Sequence, residues 1–265
     1  MIGLTINLKV GAKMEQTQLL EELLVKGIVS GYKQYIEVRK EAHERLRISD
    51  AYAFVKSNHI EDQVAHHMEG FVEYKKKHAG PSWRFLKFDF KEESQHDYCF
   101  IVKNFNYFDE ENVKVGRTPL NSPGGKEKKY LTNLVSLNAN KDFEIISERL
   151  NRPYQLTMEQ YLTSEQDPNG KVSNATFNIV TYEIDKNSKL LKSIKVWLPN
   201  PETNKAILFR DLTPILTELM QQDETYGMDE KEVEILKNVK DEDPVTEDPS
   251  TFGFEVWPNE ITKDK

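Results

Sequence analysis

With one cysteine in 265 residues, the chain cannot be braced by an internal disulfide, and its stability has to come from a packed core. That residue, Cys99, lies in the apolar run "YCFIV". A small buried thiol belongs in such a setting; a nucleophile would need a cation or a helix N-terminus beside it, and His96 alone is near in sequence. No run approaches the eighteen apolar residues of a membrane span. The opening "MIGLTINLKVGAK" is too short and polar for the apolar stretch of a secretory leader. The expectation is a soluble, cytoplasmic protein with no membrane partner. Also missing are a G-x-S-x-G elbow, a C-x-x-C pair, a G-x-G-x-x-G fingerprint and an H-E-x-x-H helix. Their absence removes the commonest acyl-hydrolase, dithiol, dinucleotide and zinc-peptidase readings. No cofactor is expected, and no internal repeat is visible.

Charge is present but unevenly spread. The net charge is −8, yet Glu218 to Lys265 alone holds fifteen acidic and five basic residues, against 29 and 31 in the rest. A near-neutral body argues against strong non-specific binding to nucleic acid, and an acidic end suits a solvated or interacting segment.

The apolar pattern sets out the elements. Ile2, Leu4, Ile6, Leu8 and Val10 alternate as a strand would. Met14 to about Glu44 reads as a helix with the stripe Leu19, Leu20, Leu23, Leu24 and Ile28, bent or broken by "GIVSG" at 27 to 31. A second helix follows Ser49 as N-cap, and a third runs from Asn58 to "HAGPS". Arg84 to Lys91 alternates as a half-buried strand, whereas Tyr98 to Lys103 is apolar on both faces and reads as a central one. Lys126 to Asn138 follows as a helix with Tyr130, Leu131, Leu134 and Val135 on its stripe. "ATFNIVTYEI" and "KLLKSIKVWLP" form a hairpin around "DKNS", "KAILF" adds a strand, and "DLTPILTELMQQ" is a helix capped by Asp211 with Pro214 in its first turn. The class is α+β: an N-terminal helical region followed by a mainly antiparallel sheet with interspersed helices. The divisions expected are 1–80 (strand and helices), 81–240 (α+β core) and 241–265 (acidic tail with an aromatic patch). In that tail Phe252, Phe254 and Val256 alternate, so the segment can add a strand to an edge of its own sheet or of a partner's. Docking on its own sheet is the expectation, since chain ends are ordered only when tied down.

Three constellations could carry chemistry. His59, Asp62, His66, Glu69 and Glu73 are spaced three or four apart, so on one continuous helix they share a face that zinc, manganese or iron would accept. Against this, Ile60, Val64, Met68 and Phe71 take the opposite face, which makes the polar stripe the outside of an amphipathic helix. A nuclease built on one acid and an acid-x-lysine triplet on neighbouring strands would use Asp89 and Lys91 of "DFK". Its second carboxylate is missing, because Ile101 stands two residues before Lys103 in the next strand, unless Glu69 or Glu73 reaches in. In "NSPGGKEKKYL", Leu120 and Glu127 exclude a phosphate-binding Walker loop. What remains is a helix start, with Ser122 as cap and Pro123 in the first position, that carries Lys126, Lys128 and Lys129 with Arg117 upstream. Cations there oppose the helix dipole and invite an anion such as phosphate, nucleic-acid backbone or the acidic tail.

"FNIVTYEIDKNSKLLKSIKVWLPNP", "KKYLTNLVSLN" and "RISDAYAFVKSNHI" together resemble a loosely defined group of uncharacterised proteins of Gram-positive bacteria and their prophages. The resemblance implies a bacterial or phage cytoplasmic setting and points to no known activity. The function expected is that of a non-enzymatic, intracellular binding protein, a phage or mobile-element factor that modulates a host protein or defence system. Phe252, Phe254 and Trp257 are the anchors expected to hold its protein partner. The alternative is a protein that binds nucleic acid through Arg117, Lys126, Lys128 and Lys129, or processes it with a metal held by His59, Asp62, His66 and Glu69.

Overall fold

The computed structural model describes residues 2–80, 83–90, 98–117, 125–150, 176–222 and 229–237, with the backbone alone described over 2–17. The first helix, α1 (Ile2–Arg45), runs unbroken for 44 residues. The alternating residues at its start are therefore helical and not a strand. Their spacing explains the difference: Ile2, Ile6 and Val10 are four apart, as are Leu4 and Leu8, so the same pattern also makes a helical stripe. Nor does "GIVSG" break the helix. Gly27 and Gly31 lie one turn apart on the face crossed by α2 (Lys56–His67), in an antiparallel register that sets Gly27 against Val64 and Gly31 against Ile60. Val25, Ile28, Val29, Tyr32, Ile60 and Val64 are buried along this seam.

Between the two helices Asp50–Val55 forms a 3-10 turn, and Ser49 makes no side-chain cap to it. Instead the buried Arg39 donates to the Ser49 carbonyl at 3.0 Å. α2 stops at His67, short of the expected "HAGPS". Gly70, at φ +90°, takes the left-handed turn that ends it, and the chain enters β1 (Val72–His78).

Five more strands follow: β2 (Arg84–Phe90), β3 (Tyr98–Asn104), β4 (Thr176–Ile184), β5 (Leu191–Pro199) and β6 (Ala206–Asp211). They form one sheet in the order β1-β2-β3-β4-β5-β6. Every neighbouring pair is antiparallel except β3–β4, which is parallel. A parallel pair needs a long crossover, and this one carries α3 (Lys129–Val135) and α4 (Phe143–Leu150). The fold is α+β, as expected, with β3 buried along all seven residues.

Two apolar layers sandwich the sheet. On one face α1, α2, α5 (Thr213–Gln222) and α6 (Glu230–Lys237) cover Val72, Phe88, Phe100, Val180, Tyr182 and Val196. On the other, Leu131 and Val135 of α3, with Phe108 and Val113, cover Phe85, Cys99, Ile101, Phe177, Ile179 and Trp197. Cys99 is thus a core thiol.

Polar clips fix the periphery. The Asp211 carboxylate accepts from the Thr213 amide at 2.9 Å and starts α5. Asp229 and Glu232 cap α6 reciprocally at 2.7 and 3.0 Å, and Lys33 of α1 holds Glu232 at 3.4 Å. The expected helix over Lys126–Asn138 begins later, at Lys129, and closes in a 3-10 turn, Ser136–Asn138. Its proposed cap residues Ser122 and Pro123 fall outside the described residues.

Candidate functional site

Among the described residues the sheet has an open edge at β1. In β1 only Val72 is buried, and every residue from Glu73 to His78 is exposed. Among the described residues its sole strand partner is β2. The register sets Val72, Tyr74, Lys76 and His78 opposite Phe90, Phe88, Leu86 and Arg84. Alternation then places Glu73, Lys75 and Lys77 on the other face, opposite Asp89, Lys87 and Phe85. Cations therefore stand on both faces of this edge, and among the described residues its outer backbone groups beyond Val72, which bridges to Glu69, have no ladder partner.

The face carrying Lys75 and Lys87 is organised by one carboxylate. Asp89 receives the Lys87 ammonium directly and the Lys75 ammonium at 3.4 Å. Burial alone would lower the Lys87 pKa, but its hydrogen bond to Asp89 and the neighbouring Cys99 outweigh that and hold it above the ordinary value. Phe85 of β2 meets Tyr130 of α3 with ring centroids 5.1 Å apart, so α3 abuts the hairpin on this face.

The expected anion cluster is only partly assembled. Lys126 and Lys129 are exposed and Lys128 is half-buried. The Lys128 ammonium lies 3.7 Å from where a Cβ on Gly116 would stand, which brings it to the corner occupied by Arg117. Arg117 itself is committed: its Nη2 donates to Glu110 Oε2 at 2.7 Å and its guanidinium lies 5.3 Å from the Phe105 ring centre. Lys128 is the N-cap of a seven-residue helix and Lys126 precedes it, so of the three lysines Lys129 alone stands in the first turn.

The metal reading is corrected by the end of α2. Glu69 and Glu73 lie beyond the helix, Glu73 in β1, so the common face of five residues does not exist. His59 Nδ1 is 3.1 Å from Gln34 Oε1 on α1. Asp62, His66 and Glu69 are exposed and line an open groove of about 660 Å³ with Glu73 and Tyr74. Among the described residues no group of three His, Cys, Asp or Glu side chains could hold a metal ion.

The nuclease triplet fares similarly. Glu73 stands directly opposite Asp89, but on β1, while the β3 positions facing Lys87 and Asp89 are Ile101 and Cys99. Asp89 is already engaged by two lysines, and Lys91 and Asp97 fall outside the described residues. Lys103, the other lysine of that reading, is buried and lines a pocket of about 30 Å³ with Glu61, Asn104, Trp83 and Tyr130. That volume holds about one water, too little for a substrate. Glu61 accepts from the Leu86 amide at 2.7 Å, tying α2 to β2. Phe252, Phe254 and Trp257 lie outside the described residues.

His59 and His67 serve as pH-sensitive staples between α1 and α2. His67 Nε2 lies 3.1 Å from Ser30 Oγ. Burial lowers both pKa values, with Asp62 opposing it at His59 and with His66 and Lys26 adding to it at His67. A folded pKa below the unfolded one means that the unfolded state binds more protons between the two values. The stabilisation is complete above pH about 6.5 and is lost as pH falls through the depressed folded values. We expect the melting temperature to fall between pH 7.5 and 5, and to fall less in His59→Gln/His67→Gln, as followed by circular dichroism.

These features define an α+β protein with a sheet covered on both faces, an open cationic edge and no assembled metal site among the described residues. No helix among them is long and apolar enough to cross a membrane. The chain matches no protein-family model, and no curated protein or solved structure is significantly similar to it.

Proposed function

We propose that the protein is a non-enzymatic binding protein that takes hold of a protein partner through the open edge of β1. The observation that carries this reading is the edge itself, seven residues long with cations on both faces and no strand partner but β2 among the described residues. Unpaired amides and carbonyls select an extended peptide that can continue the ladder. Lys75, Lys76 and Lys77 select an acidic one, and they repel a second copy of the same strand, as lysines on natural edges do. The partner class is a protein presenting an extended acidic segment. The resemblance of "FNIVTYEIDKNSKLLKSIKVWLPNP" to proteins of Gram-positive bacteria and their prophages supports a cytoplasmic setting and a phage or mobile-element factor acting on a host protein.

The test titrates a labelled peptide alternating glutamate with valine or phenylalanine against the full chain, beside labelled duplex DNA. Reversing Lys75, Lys76 and Lys77 to glutamate is expected to weaken the peptide at least about tenfold, or about 1.4 kcal/mol. A version with proline at alternate positions, unable to donate ladder bonds, is expected not to bind. Equal binding of the proline version would refute strand addition. DNA binding without peptide binding would put nucleic acid in the partner's place, with a steep salt dependence as its signature.

A further inference from the structure

Building on the reading of β1 as a docking edge, we propose that its rungs are the outward backbone groups of Tyr74, Lys76 and His78. They take an antiparallel five-residue segment of the partner that reads acid-x-acid-x-aromatic.

Two hydrogen bonds fix which residues point outward. Just past β1 the Ala79 amide donates to the Trp83 carbonyl at 3.0 Å, continuing the register that pairs His78 with Arg84. Antiparallel neighbours alternate between pairs that exchange both backbone bonds and pairs that exchange none. Counting back from Ala79, Lys77, Lys75 and Glu73 bond to Phe85, Lys87 and Asp89 of β2, and His78, Lys76 and Tyr74 turn their amides and carbonyls outward. The other end gives the same parity independently: the Val72 amide donates to the Met68 carbonyl at 3.2 Å and not to Phe90, its neighbour on β2.

The same bonds set the length. Val72 is bridged to Glu69 and Ala79 is turned back to Trp83. A docked strand is left with Tyr74–His78, and the amide and carbonyl of every second residue in it.

Side chains set the pattern. Tyr74, Lys76 and His78 share one face, and Tyr74 is 55% exposed, an open ring for an aromatic cross-strand partner. On β2 this face sets Leu86 opposite Lys76 and Arg84 opposite His78, so its cations meet no carboxylate across the ladder. On the opposite face Asp89 already holds Lys75 at 3.4 Å and Lys87 directly. Selectivity therefore lies with the Tyr74 face: an aromatic side chain over Tyr74, one carboxylate over Lys76 and another over His78 and Arg84. Antiparallel pairing is the more stable per residue, and it makes the segment read acid first and aromatic last.

The test titrates the full chain with a labelled peptide, Glu-Val-Glu-Val-Phe between Gly-Ser ends, followed by fluorescence anisotropy. N-methylation of its first, third and fifth core residues, which donate to β1, is expected to weaken binding at least about tenfold. N-methylation of the second and fourth, whose amides face away, should leave it unchanged. Lys76→Pro removes only an outward donor, which an edge strand tolerates. It is expected to melt close to the wild type and to bind at least about tenfold more weakly than Lys76→Ala, whereas Lys75→Pro breaks a rung to Lys87 and melts lower. Tyr74→Ala should weaken this peptide but not a version with alanine in place of its phenylalanine. Loss on methylating the second and fourth residues instead would assign a parallel strand and overturn this orientation, leaving the docking edge standing. A folded Lys76→Pro that binds as tightly as Lys76→Ala would overturn the rungs. No binding of this peptide or of any alternating glutamate peptide would overturn both the rungs and the docking edge.

Discussion

Gly31→Ala is expected to lose about 3 kcal/mol or more, measured as a lower urea midpoint with an unchanged slope. Helix propensity alone argues the opposite, since alanine gains about 1 kcal/mol over glycine inside a helix. Packing decides the sign. A Cβ on Gly31 would stand 2.4 Å from Ile60 Cα, 2.6 Å from the His59 carbonyl oxygen and 2.9 Å from the Ile60 nitrogen. All three are backbone atoms, so no rotamer change can make room. The only relief is to move α2 away from α1, which loosens a seam shared by Ile28, Val29, Tyr32, Ile60 and Val64. Gly27→Ala is expected to cost less, because its nearest contact is longer, 2.7 Å to Val64 Cα. Ser30→Ala, one residue from Gly31, loses only the contact to His67 and serves as the near-neutral control. Wild-type stability in Gly31→Ala would mean that the two helices do not meet at this point.

The same pair of glycines shows where sequence pattern stops being informative. "GIVSG" is a helix breaker when read locally; whether a glycine breaks a helix or admits a neighbour depends on a second helix about thirty residues away. Strands with both faces covered were legible, because Tyr98–Val102 is an unbroken apolar run and Phe177 and Ile179 on one face of β4 are matched by Val180, Tyr182 and Ile184 on the other. The hairpin around "DKNS" was legible too, its polar turn lying between two long apolar runs. β1 was not. "VEYKKKH" has one buried residue and so no period to read, and the acidic and histidine residues before it continued a helical spacing past the true end at His67. That missed boundary created the metal-binding face and concealed the open edge. The candidate site was thus legible as a list of cations and not as a place: Lys126, Lys128 and Lys129 were singled out, while Lys75, Lys76 and Lys77 fell inside the span of the expected third helix and were not.

Asn138 was invisible for a related reason: its partners lie 39 and 61 residues away. It ends the 3-10 turn after α3 and is fully buried. Its amide nitrogen donates to the Phe177 carbonyl at 2.9 Å and the Pro199 carbonyl at 2.8 Å, and its amide oxygen accepts from the Phe177 amide at 2.8 Å. The β4–β5 ladder last pairs Ile179 with Trp197, so the side chain fills the next rung, where Pro199 has no N–H to give. Asn138→Ala leaves three backbone groups without partners, and at about 1 to 3 kcal/mol each an overall loss of about 3 kcal/mol or more is expected. Asn138→Asp tests the assignment more sharply. The shape is kept, but an ionised carboxylate would face two carbonyl oxygens in a buried site, an expected cost of about 3 to 5 kcal/mol at pH 7. Burial beside those oxygens raises the folded pKa of the new acid above its unfolded value of about 3.9. The unfolded state then ionises first, so the destabilisation grows as pH rises through that window and shrinks below pH about 4, where both states are protonated. The protonated acid can still accept from the Phe177 amide and donate once. Unfolding should therefore show an Asn138→Asp deficit that narrows on acidification and an Asn138→Ala deficit that does not. Parallel pH profiles for the two variants would remove the buried amide from the ladder and leave Asn138 as a space filler.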